Sequence, residues 1–358
     1  MLHAVIMAGG SGTRFWPRSR QQRPKQLLSI VGKRALLVET CERLRGLVPW
    51  ERIHVITNAE YVSDVRRLLE ELPRENVVGE PVGRDTAAAI ALSAARLARI
   101  ESDATMLVLP SDHVIQPHAE FLRTVRAGLR LLEEYPNTLV TFGIRPTCPA
   151  TGYGYIKRGE ERGGHEGVAC YAAQAFKEKP DEGAACAFLA EGGYYWNAGI
   201  FAWRAAAVRS EIRRHLPELD ALLQSIECDL FTEREEQALA RVYQEFPRIS
   251  IDFGVMERAA DRSIVEATFE WDDVGSWLAI EKYHAKDDRG NVCLGEVLVL
   301  DGAGNIIDAG GGLVAVLGLS DLVVVRTEDA VLVCPKAQCQ NVKRIVEELR
   351  RRGKGKVL

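Results

Sequence analysis

The chain has 358 residues, 47% hydrophobic and 27% charged, with a formal charge of −4. That length can bury a substantial core and has room for two domains, and the balance is that of a soluble globular protein. It supplies no overall cationic field to hold a phosphate backbone, so no nucleic-acid partner is expected.

No apolar run is long enough to span a membrane, and no basic segment precedes a long apolar stretch. The expectation is therefore a cytoplasmic protein with no membrane partner. The basic cluster Arg350, Arg351, Arg352, Lys354 and Lys356 reads as a solvated tail. Eight cysteines are scattered without zinc spacing and read as buried, reduced thiols.

The first element is the apolar run at 4–8, a buried strand. It leads into Gly9-Gly10-Ser11-Gly12-Thr13-Arg14, with Lys25 shortly after. A loop so poor in Cβ atoms can turn several backbone N–H groups onto one anion, and Arg14 and Lys25 add two cations. Triphosphate chemistry is the reading; a tight strand-to-helix turn is the bland alternative. The loop is not a dinucleotide fingerprint, because after Gly10 and Gly12 the chain continues Thr13-Arg14-Phe15 with no third glycine. It is not a P-loop, because no G-K-[ST] triplet follows.

Further strands are expected at 53–56, 104–109 and 139–143, and helices near 36–44, 62–71, 86–99 and 120–134. Alternation of this kind predicts a doubly wound, largely parallel sheet with ligand loops at the carboxyl ends of its strands. Glu80, Arg84, Asp85 and Thr86 precede an Ala-rich helix, where Asp85 or Thr86 could cap it or the loop could read a base. Asp112 follows a strand end, in Pro110-Ser111-Asp112-His113, and can be paired with Asp273 of the aromatic-flanked turn 271–277. Two carboxylates from distant segments suit Mg²⁺, with water and phosphate oxygens completing the shell. A helix cap and a surface turn are the alternatives.

From about residue 150 the pattern is less regular. Tyr153 and Gly154 open a turn-strand element, Glu178 and Lys179 set acid beside base, and Asn197 is an amide in apolar surroundings between Trp196 and Phe201. Hydroxyl and phosphate recognition needs such groups, and an unpaired buried amide would be costly. The histidines show no metal-binding pattern, and no esterase elbow surrounds any serine. Beyond about residue 285, short β-rich runs at 296–300, 312–316, 322–326 and 330–333 predict a small β-domain, followed by an amphipathic helix at 342–350.

The run GGSGTRFWPRSRQQRPKQ (9–26) resembles the signature of nucleotidyltransferases that activate sugar 1-phosphates. The likeness continues, in the family's order, through EPVGRDTAAAI (80–90), LPSDH (109–113), TGYGYI (151–156), FKEKP (176–180), YWNAGIF (195–201), ISIDFGVME (249–257) and WDDVGSW (271–277). Among these enzymes it is most similar to the bacterial guanylyltransferases acting on mannose 1-phosphate.

The resemblance implies a Rossmann-like, mixed, mostly parallel α/β sheet flanked by helices over residues 1–284. A small left-handed β-helix-like domain with a terminal helix would follow over 285–358. It implies GTP and mannose 1-phosphate as substrates, GDP-mannose and pyrophosphate as products, Mg²⁺ as cofactor, and a homodimer. Ala8, Gly9, Gly10, Ser11, Gly12 and Thr13 would hold the nucleotide with Ser111. Glu80, Arg84, Asp85 and Thr86 would line the base and ribose pocket. Arg14 would brace the leaving phosphates, Lys25 the α-phosphate, and Asp112 and Asp273 the metal. Tyr153, Gly154, Glu178, Asn197 and, more loosely, Asp252 would surround the sugar, with Lys179 on its phosphate.

Phe15 and Arg18 replace a frequent leucine and read as scaffold changes; Ala88 replaces a frequent proline, and Phe253 a common tyrosine. Longer members carry an added isomerase domain, and this chain is expected to be monofunctional. The alternatives are a related enzyme of different nucleotide or sugar preference, or a silent regulatory homologue that binds a GDP-sugar.

Overall fold

The computed structural model describes every residue except Ser11. The chain forms two compact units. The first comprises Met1–Gly9, Thr40–Ser111 and Ile115–Trp271; the second comprises Gly10–Glu39, Asp112–Val114 and Asp272–Leu358.

In the first unit, β1 (Leu2–Ala8), β2 (Ile53–Asn58), β3 (Val77–Glu80) and β4 (Thr105–Pro110) are parallel neighbours. Two short strands, β5 (Val114–Gln116) and β11 (Glu270–Asp272), lie where the chain passes between units. The sheet continues with β6 (Leu139–Ile144), β7 (Tyr155–His165), β8 (Val168–Lys177), β9 (Tyr194–Arg204) and β10 (Arg262–Glu266), in the order β3-β2-β1-β4-β9-β6-β10-β8-β7. Following the pairings outward, β9 and β8 alone run against the rest, so seven of nine strands point one way. The sheet is therefore mixed and mostly parallel. β1 is buried along most of its length because strands with both faces covered read as continuous apolar runs.

Helices α1 (Leu36–Glu42), α2 (Val62–Leu68), α3 (Asp85–Ile100) and α4 (His118–Glu134) fall where expected. Ala87 through Leu97 are all buried in α3, so alanine there lets the helix lie close against its neighbours. The irregular middle holds α5 (Glu182–Glu191), α6 (Ala205–His215), α7 (Pro217–Gln224) and α8 (Glu235–Val242), which the periodicity did not single out. Asp181 caps α5 by accepting the Ala184 N–H at 2.8 Å.

The parallel registers bring the ends of four strands to one edge. Ala8 pairs with Thr57, Asn58 with Glu80, and Met7 with Pro110. Gly9, Glu80 and Ser111 thus stand at the carboxyl edge where ligands bind in sheets of this type.

In the second unit, β12 (Val292–Leu294), β14 (Ile306–Asp308) and β16 (Leu322–Arg326) stack in parallel. β17 (Val331–Pro335) adds antiparallel, and β13 (Val297–Leu300) pairs with β15 (Val314–Leu317). This is a β-helix-like coil. An asparagine ladder ties its turns: Asn305 Nδ2 donates to Asn291 Oδ1 at 3.0 Å and to the Leu319 carbonyl at 2.9 Å. Helix α9 (Val342–Arg351) closes it.

The grouping differs from a cut at residue 284, because 10–39, 112–114 and 272–284 belong with the coil. Phe15, Trp16, Leu28 and Ile30 bury in the same core as Trp277, Val292, Ile306, Val323 and Val346. Trp277 Nε1 donates to the Trp16 carbonyl at 3.2 Å, and Trp16 Nε1 to that of Val357 at 2.7 Å.

All eight cysteines are free thiols; Cys41, Cys170 and Cys339 are buried, but Cys148, Cys186, Cys228 and Cys293 are exposed, against the expectation of burial throughout. Among the described residues no helix is long and apolar enough to cross a membrane.

Candidate active site

The second unit gathers the loop and the expected acids. Gly12 has φ 59°, and a Cβ there would collide with Lys25, so glycine is required both for its backbone conformation and for the approach of the lysine segment. Ser19 Oγ fastens the turn by donating to the Gly12 carbonyl at 2.7 Å. Lys25 is buried, and its Nζ donates to Asp112 Oδ2 at 2.8 Å and to the Asp273 carbonyl at 2.6 Å. Burial pushes the Asp112 carboxyl up, but the charges of Lys25 and His113 and the Lys25 hydrogen bond outweigh it and hold the group below its ordinary value. Arg14 is exposed and has no hydrogen-bond or ion-pair partner among the described residues. Ser11 lies outside the described residues.

The two adjacent aspartates of the 271–277 turn do different work. Asp272 is buried, accepts the Val274 N–H at 2.7 Å and pairs with Lys282. That turn holds Val274 at φ 46°, a costly conformation for a β-branched residue. Asp273 is the one whose main chain meets Lys25.

Asp112 and Asp273 are thus both tied to one ammonium. Two carboxylates leave most positions around a hard cation to water and phosphate oxygens, the set Mg²⁺ favours. Among the described residues no group of three or more His, Cys, Asp or Glu side chains could hold a metal by itself. Asp112 and Asp273 as a donor pair would suit a metal shared with substrate phosphates.

In the first unit, Thr57 Oγ1 donates to the Ala8 carbonyl at 3.0 Å, and Ser111 is buried with its N–H on Met7 O at 3.1 Å. Glu80 is buried, and the Tyr243 hydroxyl donates to its Oε1 at 2.5 Å. Burial pushes the Glu80 carboxyl up to about 7, with the Tyr243 hydrogen bond opposing and the Asp85 charge adding. Arg84 sends its guanidinium to the carbonyls of Tyr243, at 3.0 Å, and Gln244. Thr86 Oγ1 accepts the Ile251 N–H, and Asp85 Oδ1 that of Thr86, both at 2.8 Å. Arg84 and Thr86 therefore brace the loop from behind.

The expected sugar residues converge in the same unit. A Cβ at Gly154 would run into Glu178 Oε2 and lie 3.3 Å from the Asn197 Cβ. Glu178 is buried; Lys179 Nζ donates to its Oε1 at 2.8 Å, and its own N–H donates to Glu257 Oε1 at 2.8 Å. Its Oε2 is buried with no hydrogen-bond partner among the described residues, which is costly unless a ligand supplies a donor. Asn197 Oδ1 accepts Thr141 Oγ1 at 2.9 Å, and Nδ2 donates to Asp252 Oδ1 at 2.8 Å. Burial and then the Glu178 charge push the Asp252 carboxyl up to about 7. Burial lowers the Lys179 ammonium, but the Glu178 hydrogen bond and the charges of Glu178, Asp252 and Asp85 carry it above its ordinary value. Tyr153 packs edge-on between Trp196 and Trp271, with centroids 5.1 and 5.0 Å away.

Tyr243, Glu257 and Thr141 are neighbours that the sequence did not nominate. Their partners lie far off in the chain, and no local spacing marks them.

A nucleotidyl transferase family model matches residues 3–290, and a mannoseP isomerase/GMP-like β-helix domain model matches residues 295–349. A mannose-1-phosphate guanylyltransferase of Escherichia coli (strain K12) is 41% identical over 362 aligned positions, covering 99% of this chain and 74% of the relative. The alginate biosynthesis protein AlgA of Pseudomonas aeruginosa is 38% identical over 353 positions, covering 98% of this chain and 72% of the relative. A solved structure from Thermus thermophilus, described as a mannose-1-phosphate geranyltransferase, superposes with a TM-score of 0.86 at 37% identity, covering 98% of this chain and 99% of that one. The chain belongs to the nucleotidyl transferase family, among the mannose-1-phosphate guanylyltransferases.

Proposed function

We propose that the enzyme transfers GMP from GTP to α-D-mannose 1-phosphate, giving GDP-mannose and pyrophosphate by direct displacement at the α-phosphorus. The observation that carries this reading is the buried Lys25 ammonium, held by the Asp112 carboxylate and the Asp273 carbonyl at 2.8 and 2.6 Å, next to a turn that only glycine can make.

The attacking phosphate is already largely dianionic near neutral pH, with a second pKa of about 6, and needs no general base. The difficulty is bringing one polyanion onto another. Lys25 offers its charge to the crowded α-phosphate. Arg14 and the loop N–H groups receive the charge that develops on pyrophosphate as its bond to the α-phosphorus breaks. Asp112 and Asp273 would hold Mg²⁺, the member of the family's usual divalent ions that these oxygens suit, and when bound it neutralises phosphate charge. Glu178 Oε2 accepts a sugar hydroxyl beside Gly154, Asn197 and Asp252 shape the same pocket, and Lys179 meets the sugar phosphate. This is catalysis by position and charge, with inversion at phosphorus and no covalent enzyme intermediate.

The test is pyrophosphate release from GTP, ATP, UTP and dTTP against a panel of sugar 1-phosphates. GTP with mannose 1-phosphate should be fastest, and equal or faster release from another pair overturns the assignment.

We further infer a cytoplasmic homodimer. Leu300 pairs in register with Leu317 on the outward face of β13 and β15, where Leu298 also lies, and all three are 48–69% exposed. An outward sheet face without polar residues is a contact surface. Leu300→Asp with Leu317→Asp should give a monomer in light scattering; an unchanged mass sinks the interface.

A further inference from the structure

Glu80 ends β3 with its two oxygens in different situations. Oε1 takes the hydroxyl of Tyr243 at 2.5 Å. Tyr243 is fully buried, packs on Phe246 with ring centroids 4.6 Å apart, and has its carbonyl held by Arg84 Nε at 3.0 Å. The hydroxyl is therefore fixed in place. Oε2 makes no hydrogen bond among the described residues and faces Gly9, where a Cβ would lie 3.1 Å away. Any side chain at position 9 would crowd that oxygen.

We propose that Tyr243 is a positioning residue for base recognition: by holding Oε1 it aims Glu80 Oε2, across Gly9, at the N1–H and 2-amino group of guanine. The proposal rests on the GTP reading above. Both groups are donors, and a carboxylate is acceptor-only, whereas adenine presents an acceptor at N1 and is repelled. Only ionised Glu80 does this. Burial pushes its carboxyl up to about 7, and of its neighbours Tyr243 opposes the rise and Asp85 adds to it. Arg84, the cation of the same loop, is committed to the Tyr243 and Gln244 carbonyls.

The experiment uses the full chain and compares GTP with ITP, which keeps N1–H and lacks the 2-amino group. Dissociation constants are measured by titration calorimetry between pH 6 and 9 for the parent, Tyr243→Phe and Glu80→Gln, with steady-state kinetics alongside. The parent should bind ITP about tenfold more weakly than GTP, the scale of one hydrogen bond to a charged group. Tyr243→Phe keeps the packed ring. It should weaken GTP about tenfold, bring the ITP-to-GTP ratio toward one, leave kcat within about twofold, and move the acid loss of GTP binding to higher pH. Glu80→Gln should lose that pH dependence and show the same reduced ratio, which keeps the idea testable if the tyrosine variant folds poorly.

A parent-like ratio in either variant, or equal losses for GTP and ITP, overturns the proposal. GTP turnover with mannose 1-phosphate by the parent is scored separately. If turnover is absent while the binding pattern holds, the catalytic reading fails alone; if turnover is present with an unchanged ratio, the Tyr243 role fails alone.

Discussion

The Lys25 ammonium has an acid and a main-chain carbonyl as fixed partners, so it is pre-organised before any phosphate arrives. Lys25→Ala should lower turnover by a factor of about 10² or more, the cost of losing an oriented transition-state donor. Near-normal turnover in that variant would remove the lysine from the mechanism. Asp273→Asn should weaken Mg²⁺-dependent turnover while the fold persists; a Mg²⁺ titration superimposable on the parent's argues against the carboxylate pair. The loop's glycines and cations were legible because they are adjacent in sequence. The choice of Asp273 over Asp272 was also made from the sequence, but that the Asp272 carboxylate turns to Val274 and Lys282 was not legible there. Arg18 also differs from expectation. It is no neutral scaffold change, because its guanidinium forks onto the buried Asp308 carboxylate of β14, with Nε at 2.6 Å. Arg18→Leu should cost about 1–3 kcal/mol in a urea melt, discounted because the arginine itself is half exposed.

Among the elements, those with a regular apolar pattern were read well, and those of the irregular middle of the chain were not. Helix α3 was visible in its alanines, and α4 in the helical spacing of Phe121, Val125, Leu131 and Leu132 along its buried face. Strand β3 went unmarked because Val77-Val78-Gly79-Glu80 is only four residues with a glycine inside. That glycine is there because a Cβ would press on Ala59. Yet β3 carries Glu80, and its register with β2 delivers the carboxylate to the ligand edge. In the coil, the spacing of short strands predicted a β-domain, but the asparagine ladder that ties its turns could not be read from spacing. Asn305→Ala should destabilise by about 1–3 kcal/mol, because it leaves the Leu319 carbonyl and the Leu322 N–H without their partner. A melting temperature equal to the parent's would show that the ladder bears no load.

For the molecule as a whole, stability should weaken in mild acid. His54 is buried against His3, their ring nitrogens 3.2 Å apart, with Glu101 and the N-terminal ammonium beyond. Burial, then the charges of His3 and Arg96, push the His54 imidazole down to about 3. A depressed folded-state value means that the unfolded chain takes up the proton first. The contribution is intact above about pH 6.5 and is lost as pH falls toward 3, by up to about 1.4 kcal/mol per pH unit. Denaturant melts from pH 7 to 4.5 should show this slope, and His54→Asn should flatten it; equal slopes for the two proteins would exclude the histidine as its source.

What the sequence determined by itself was local in origin. Apolar runs specified strands, helical spacing specified helices, and clustered glycines with nearby cations specified an anion loop, since each signal lies within a few residues. Only the tertiary structure decided which groups meet. Lys25 reaches a carboxylate 87 positions away and a carbonyl 248 away, and Tyr243 reaches Glu80 across 163. It also decided that the Asn197 amide meets Thr141 and Asp252, and that Glu178 Oε2 is buried without a hydrogen-bond partner among the described residues. Such pairings are settled by burial and hydrogen-bond satisfaction after the chain has closed on itself, and no spacing along the chain encodes them.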